Sequence, residues 1–147
     1  MKYKPLKKPT DFWDYIKTLP DGSISRVWYS GHASQSGLML SLSHNSSCDA
    51  VAKTSDMILT TDIRAHLSLA PKFSESHKQV SKFLGCYTHN FADQGNKIFK
   101  VKAEGAINKV DFGVADRASP FKNIIERIEK TPTSVGNMGW TQFHSVP

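Results

Sequence analysis

Two residues of this chain, His32 and Cys86, combine types and positions that suit nucleophilic catalysis. A cysteine attacks as its thiolate, and a neighbouring imidazole can take the proton and return it. The two side chains need to meet in space, not in sequence. Each follows a glycine that closes a β-favouring run. Arg26-Val27-Trp28-Tyr29-Ser30 precedes Gly31-His32-Ala33, and Gln79-Val80-Ser81-Lys82-Phe83-Leu84 precedes Gly85-Cys86-Tyr87. Glycine before each residue permits a tight turn and a close approach of substrate. Backbone N–H groups at Gly31, Gly85 and Cys86 are then candidates for an oxyanion hole. Taken singly, a cysteine is most often a buried structural thiol, and a loop histidine usually bonds to backbone. The pairing carries the weight.

Other candidates are poorer. Cys48 stands in Asn45-Ser46-Ser47-Cys48-Asp49, a polar run that reads as loop. His44 and Cys48 with Cys86 and His89 have spacings that suit zinc, but one pair lies in that loop and the other straddles a strand end. The expectation is no metal and no cofactor. His66, His77 and His144 have no partner that the sequence argues for.

The elements that would hold the pair follow from periodicity. Pro9-Thr10-Asp11 opens a helix whose buried face is Phe12, Trp13, Ile16 and Leu19, ended by Pro20-Asp21-Gly22. After the first strand, Gly37 to Leu42 alternates as a second, and residues 43–56 read as loop. Thr61 or Asp62 caps a short helix carrying Ile63 and Leu67, with Pro71 ending it. The strand over 79–84 is followed by a helix through Phe91 and Ala92, weakened by Gly95. Lys97–Ala103 and Ile107–Phe112 read as two strands around a turn at Glu104-Gly105. Ser119-Pro120 starts a helix with Phe121, Ile124, Ile125 and Ile128 on its apolar face. The tail, 131–147, reads as irregular, and its Trp140 and Phe143 would fold back on the core or dock to a partner, with packing the better account. Alternating strands and helices predict an α/β sandwich with a mostly parallel sheet, and such sheets place ligands beyond the carboxyl ends of their strands. Both glycine exits satisfy that rule.

Composition bounds the reading. The 147 residues suit one domain, 1–147, with a basic lead-in over 1–9. Hydrophobic residues at 39% and charged residues at 22% are ordinary for a globular domain and argue against disorder. Net charge is +6, but apart from Lys2, Lys4, Lys7 and Lys8 the lysines are scattered. A basic surface explains this better than a nucleic-acid groove does. Trp13, Trp28, Phe83 and Phe99 fit core packing better than base stacking. No stretch suits a membrane span or a secretory signal, so a cytoplasmic location is expected. Two cysteines make no disulfide framework.

Val27-Trp28-Tyr29-Ser30-Gly31-His32-Ala33-Ser34 resembles the hydrophobic strand and Ser-Gly-His-Gly of caspase-like cysteine peptidases. Phe83-Leu84-Gly85-Cys86-Tyr87-Thr88 resembles their second signature, a strand ending in a small residue and the nucleophile. The histidine precedes the cysteine by 54 residues, against about 50 in caspases. Gly37-Leu38-Met39-Leu40 sits where bacterial caspase-like and CHAT domains place the next strand, and 105–112 where they wall the specificity pocket. The resemblance covers residues 10–115. It implies a three-layer α/β/α sandwich, His32 as general base, Cys86 as nucleophile, and cleavage of a polypeptide substrate through a thioester. The other reading is a non-catalytic interaction domain that keeps the fold. Three departures stand out. Ala33 replaces a glycine, and no acidic residue flanks Cys86. The strands that precede the first helix in the family have no counterpart, as in a trimmed domain or a sheet completed differently. Selection of aspartate would need an arginine, and Arg26, Arg64 and Arg117 are available.

Overall fold

The computed structural model describes residues 6–40, 56–74, 79–110 and 140–143, the last for the backbone alone. Helix α1 (Pro9–Thr18) starts where the sequence indicates. Proline at the first helical position presets φ and lacks the N–H that would go unbonded there. The Asp11 carboxylate accepts from the N–H groups of Lys7 and Lys8 at 3.1 and 3.0 Å. Trp13 and Ile16 are buried on its apolar face.

Strand β1 (Trp28–Ser30) leads into β2 (Ala33–Ser34) and β3 (Gly37–Met39), which form a hairpin. Strand β4 (Met57–Leu59) completes a three-stranded antiparallel sheet in the order β2-β3-β4. The sequence reading anticipates β1 and β3, which lie within longer β-favouring runs, but not β2 or β4, whose two and three residues leave no measurable alternation of their own. Of the loop expected over 43–56, only Asp56 lies among the described residues.

Helix α2 (Asp62–Ala65) buries Ile63 as expected, but Leu67 is 55% exposed. The chain tightens at His66 into a 3₁₀ helix, Leu67–Lys72. Its three residues per turn carry Leu67 off the face that Ile63 occupies. Pro71 lies inside that 3₁₀ helix and does not end it.

The main sheet has the order β1-β5-β6-β7, with β5 spanning Ser81–Leu84, β6 Ala103–Ala106 and β7 Trp140–Phe143. Strands β1, β5 and β6 are parallel, and β7 pairs antiparallel on β6. Helix α3 (His89–Phe99) joins β5 to β6 in a βαβ unit. The chain is therefore a mixed α/β protein with three parallel strands, an antiparallel edge and a separate antiparallel sheet. Phe91 of α3 meets Phe83 of β5 edge-on at 5.0 Å, and Phe99 stacks on Phe73 at 4.8 Å. These rings and Trp13 form the centre of the core.

Four sequence expectations are corrected here. Lys97–Phe99 is helix, not strand. An ion pair of Lys97 with Asp93 at 2.8 Å supports the last turns of α3, and Lys100 ends it in the left-handed conformation, φ 57°. Glu104-Gly105 is not a turn but the middle of β6. The glycine marks a close approach: a Cβ there would lie 2.4 Å from Thr88 O. Ile107–Val110 pair in no strand, and Ile107 is exposed; residues 111 and 112 lie outside the described set. The tail is not wholly irregular, because the backbone of 140–143 folds back as β7. The helix expected from Ser119-Pro120, with Phe121, Ile124, Ile125 and Ile128, lies outside the described residues.

Candidate functional site

Strands β1 and β5 run side by side in register, Trp28 opposite Lys82, Tyr29 opposite Phe83 and Ser30 opposite Leu84. The Gly31 N–H donates to Leu84 O at 3.1 Å. Gly31-His32 and Gly85-Cys86 therefore leave the sheet at the same carboxyl edge, from neighbouring strands. His32 and Cys86 are each the second residue past the last paired position. A Cβ on Gly85 would lie 2.7 Å from Gly31 O and 2.8 Å from the Ala33 Cβ, so the two exits touch at the level of the backbone. Ala33, the departure from the family's glycine, is fully buried. Its methyl fits because Gly85 has none.

The peptide of His32 is held from two sides. Met39 N–H donates to His32 O at 2.9 Å. The Tyr29 hydroxyl shares its hydrogen between His32 O at 2.6 Å and Met39 O at 2.8 Å. Burial pushes the Tyr29 phenol well above the usual tyrosine range, so it stays a donor. Through these bonds the antiparallel sheet is fastened to the exit of β1.

Cys86 is held by the turn that carries it. Tyr87 adopts the left-handed conformation, φ 56°, a strained choice for a non-glycine residue. It reverses the chain so that Thr88 can begin α3. Thr88 is fully buried and does not cap the helix with its side chain. Its hydroxyl turns back and donates to Phe83 O at 2.5 Å and Gly85 O at 3.0 Å, while accepting from Ala106 N–H at 2.9 Å. One hydroxyl thus ties the end of β5, the cysteine turn and β6 together. On the other side, Tyr87 N–H donates to Asn108 O at 3.2 Å, and Val110 N–H donates to the Cys86 Sγ at 3.3 Å.

Cys86 itself is 0% exposed and is disulfide-bonded. The only other cysteine of the sequence is Cys48, which lies outside the described residues. In this state the expected nucleophile is an oxidised sulfur, not a thiol. A second expectation changes as well. The Gly31 amide is taken up by Leu84 O, so it is not spare for an oxyanion.

The remaining candidates fall as follows. His66 stacks on Trp13 at 3.9 Å, with its Nδ1 2.8 Å from Asp62 O, a packing role. His89 Nδ1 lies 3.2 Å from Ala106 O. A disulfide sulfur offers no thiolate to zinc, and among the described residues no group of metal-ligating side chains forms. Arg26 lies 4.0 Å over the Trp28 ring, at the opposite end of β1 from His32, and Arg64 is in α2. His44, His77, Arg117 and His144 lie outside the described residues. The sequence reading missed Tyr29 and Thr88 as supports of the site. Alternation puts Tyr29 on the inner face of β1, but nothing local shows which carbonyls its hydroxyl reaches.

No family model, no curated protein and no solved structure matches the chain.

Proposed function

We propose that the chain is a cysteine endopeptidase of caspase-like fold, active in its reduced form, with Cys86 as nucleophile and His32 as general base. The observation that carries this reading is the register of β1 and β5, which sends Gly31-His32 and Gly85-Cys86 out of one sheet edge together. The Cys86 thiolate bonds to the scissile carbonyl carbon of a polypeptide. The amine leaves with the proton that His32 has held, and a thioester remains. Water then attacks the thioester with His32 as base, the carboxylate product leaves, and the thiol is restored. The α/β core would be one face of a three-layer sandwich. A cytoplasmic location belongs to the same reading; among the described residues no helix is long and apolar enough to cross a membrane.

One observation favours a second reading, a non-catalytic interaction domain of the same fold. The sulfur of Cys86 is both buried and oxidised.

The two are separated by treating the dithiol-reduced protein with a peptidyl thiol-directed electrophile and mapping the adduct. The peptidase reading expects label on Cys86. It also expects a loss of labelling rate of about 10²–10⁴-fold in His32→Ala, the usual worth of a general base, with unchanged circular dichroism. Label on Cys48 with Cys86 untouched would overturn it, as would a Cys86→Ala variant that keeps every activity of the parent.

A further inference from the structure

A cavity lies in the core among α1, α3 and β5 of the main sheet. Rings make most of its wall, with Trp13 of α1, Phe73, Phe83 of β5, and Phe91 and Phe99 of α3. Counted out to its mouth it encloses about 370 Å³, of which about 20 Å³ admits the centre of a water molecule. The mouth lies by Phe12 and Val27, the lining residues that are only half-buried. Packing does not force this space. Gly95 lines it from the middle of α3 and is itself buried, and a Cβ built there would meet nothing within 4 Å beyond the helix's own backbone. Alanine would fill the space and strengthen the helix, because glycine weakens a helix interior. A second, independent feature is polar. Trp13 is 4% exposed, and its indole Nε1–H is buried without a hydrogen-bond partner, whereas buried donors are almost always paired. Another donor lines the same cavity. The Ser81 hydroxyl accepts from Val27 N–H at 3.0 Å, and its own hydrogen has no acceptor among the described residues. None of the lining side chains is charged.

We infer that this cavity binds a small uncharged apolar molecule carrying one hydrogen-bond acceptor, a carbonyl or ether oxygen, which the Trp13 indole N–H takes. The site is independent of the peptidase reading. The lining sets the chemistry. Its rings hold apolar surface out of water. An indole N–H only donates, and the Ser81 hydroxyl has a hydrogen left to give, so the matching group on the ligand is an acceptor. A carboxylate or an ammonium would be buried there without an opposite charge, at a cost that outweighs one hydrogen bond. A buried water is held by two to four polar partners, and a wall of rings with two donors suits it poorly. Gly95 sets the size, because the missing Cβ lets the ligand lie against the backbone of α3.

The test titrates the full chain, labelled with ¹⁵N, with cyclopentanone and with cyclopentane, a ring of similar size that lacks the acceptor. The sequence has three tryptophans, and the indole N–H resonance of Trp13 is the one lost in Trp13→Phe. Cyclopentanone should move that resonance saturably, with a dissociation constant on the order of 1 mM. It should bind about 5–10-fold more tightly than cyclopentane, the worth of one hydrogen bond. Gly95→Ala should weaken the ketone about 10-fold or more while melting no lower than wild type. If Gly95→Ala does not fold, Trp13→Phe decides instead. Read at the Gly95 backbone amide, its affinity for the ketone should fall to that for cyclopentane. The inference is overturned if the Trp13 resonance stays in place at roughly ten times the expected dissociation constant, or if cyclopentane binds as well as cyclopentanone. It is also overturned if the folded Gly95→Ala variant, or Trp13→Phe, binds the ketone as wild type does. A long-lived water that shows a nuclear Overhauser effect to the Trp13 N–H and persists at saturating ketone would overturn it too, since the occupant would then be structural water.

Discussion

Thr88→Val removes one hydroxyl and changes almost nothing else in shape. In the folded chain that hydroxyl serves Phe83 O, Gly85 O and Ala106 N–H, at 2.5, 3.0 and 2.9 Å, in a fully buried position. Water cannot replace it there without opening the turn. The Ala106 amide loses its acceptor outright, and Gly85 O loses a donor; a buried polar group left without a partner costs about 1–3 kcal/mol. The sum expected for Thr88→Val is about 2–4 kcal/mol. For a chain of this size each kcal/mol moves the midpoint by about 2–4 °C, so melting should fall by roughly 4–16 °C. Thr88→Ser keeps the hydroxyl and should lose only the methyl, about 1 kcal/mol. Urea denaturation followed by far-UV circular dichroism measures both. A valine variant within 0.5 kcal/mol of wild type, or a serine variant as unstable as valine, would show that the hydroxyl does not hold the cysteine turn.

Three further outcomes are expected. Tyr29→Phe should cost about 1–2 kcal/mol at pH 8 by removing the donor to His32 O and Met39 O. The folded chain raises this phenol's pKa, so its contribution is complete below the ordinary tyrosine value near 10 and declines as pH rises beyond it. The gap between wild type and Tyr29→Phe should therefore shrink from pH 9 to pH 11 in urea titrations, by up to about 1.4 kcal/mol per pH unit above 10. Gly85→Ala places a methyl 2.8 Å from the Ala33 Cβ and 2.7 Å from Gly31 O, and should cost about 1–3 kcal/mol. Adding Ala33→Gly should recover part of that loss, and additive losses in the double-mutant cycle would mean that the two exits do not touch. Reducing the disulfide of Cys86 should lower unfolding free energy by about 2–4 kcal/mol; equal denaturation midpoints with and without dithiothreitol would contradict this.

Much of the scaffold was legible in local pattern. Pro9 and Asp11 announce α1, and the apolar runs ending at Gly31 and Gly85 announce β1 and β5, because these signals lie within a few residues of what they determine. The errors come from residues whose role is set at long range. Gly105 reads as a turn in isolation, yet it is a strand residue whose missing side chain admits the Thr88 backbone. Lys97–Phe99 reads as β-favouring, yet ring contacts of Phe99 with Phe73 and Trp13 keep it helical. The tail lacks local signals, but 140–143 pairs on the open edge of β6; a strand edge can recruit a segment that would be irregular alone.

The sequence by itself determined which residue types could do chemistry and that both, His32 and Cys86, follow a glycine at the end of an apolar run. Those facts are properties of adjacent residues. Only tertiary structure decided that the two runs are neighbours in one parallel register, because strand pairing joins segments more than fifty residues apart. It also decided the state of the sulfur. A cysteine's identity is written in the chain, but whether it is a thiolate beside an imidazole or half of a disulfide depends on which other sulfur the fold brings within bonding distance.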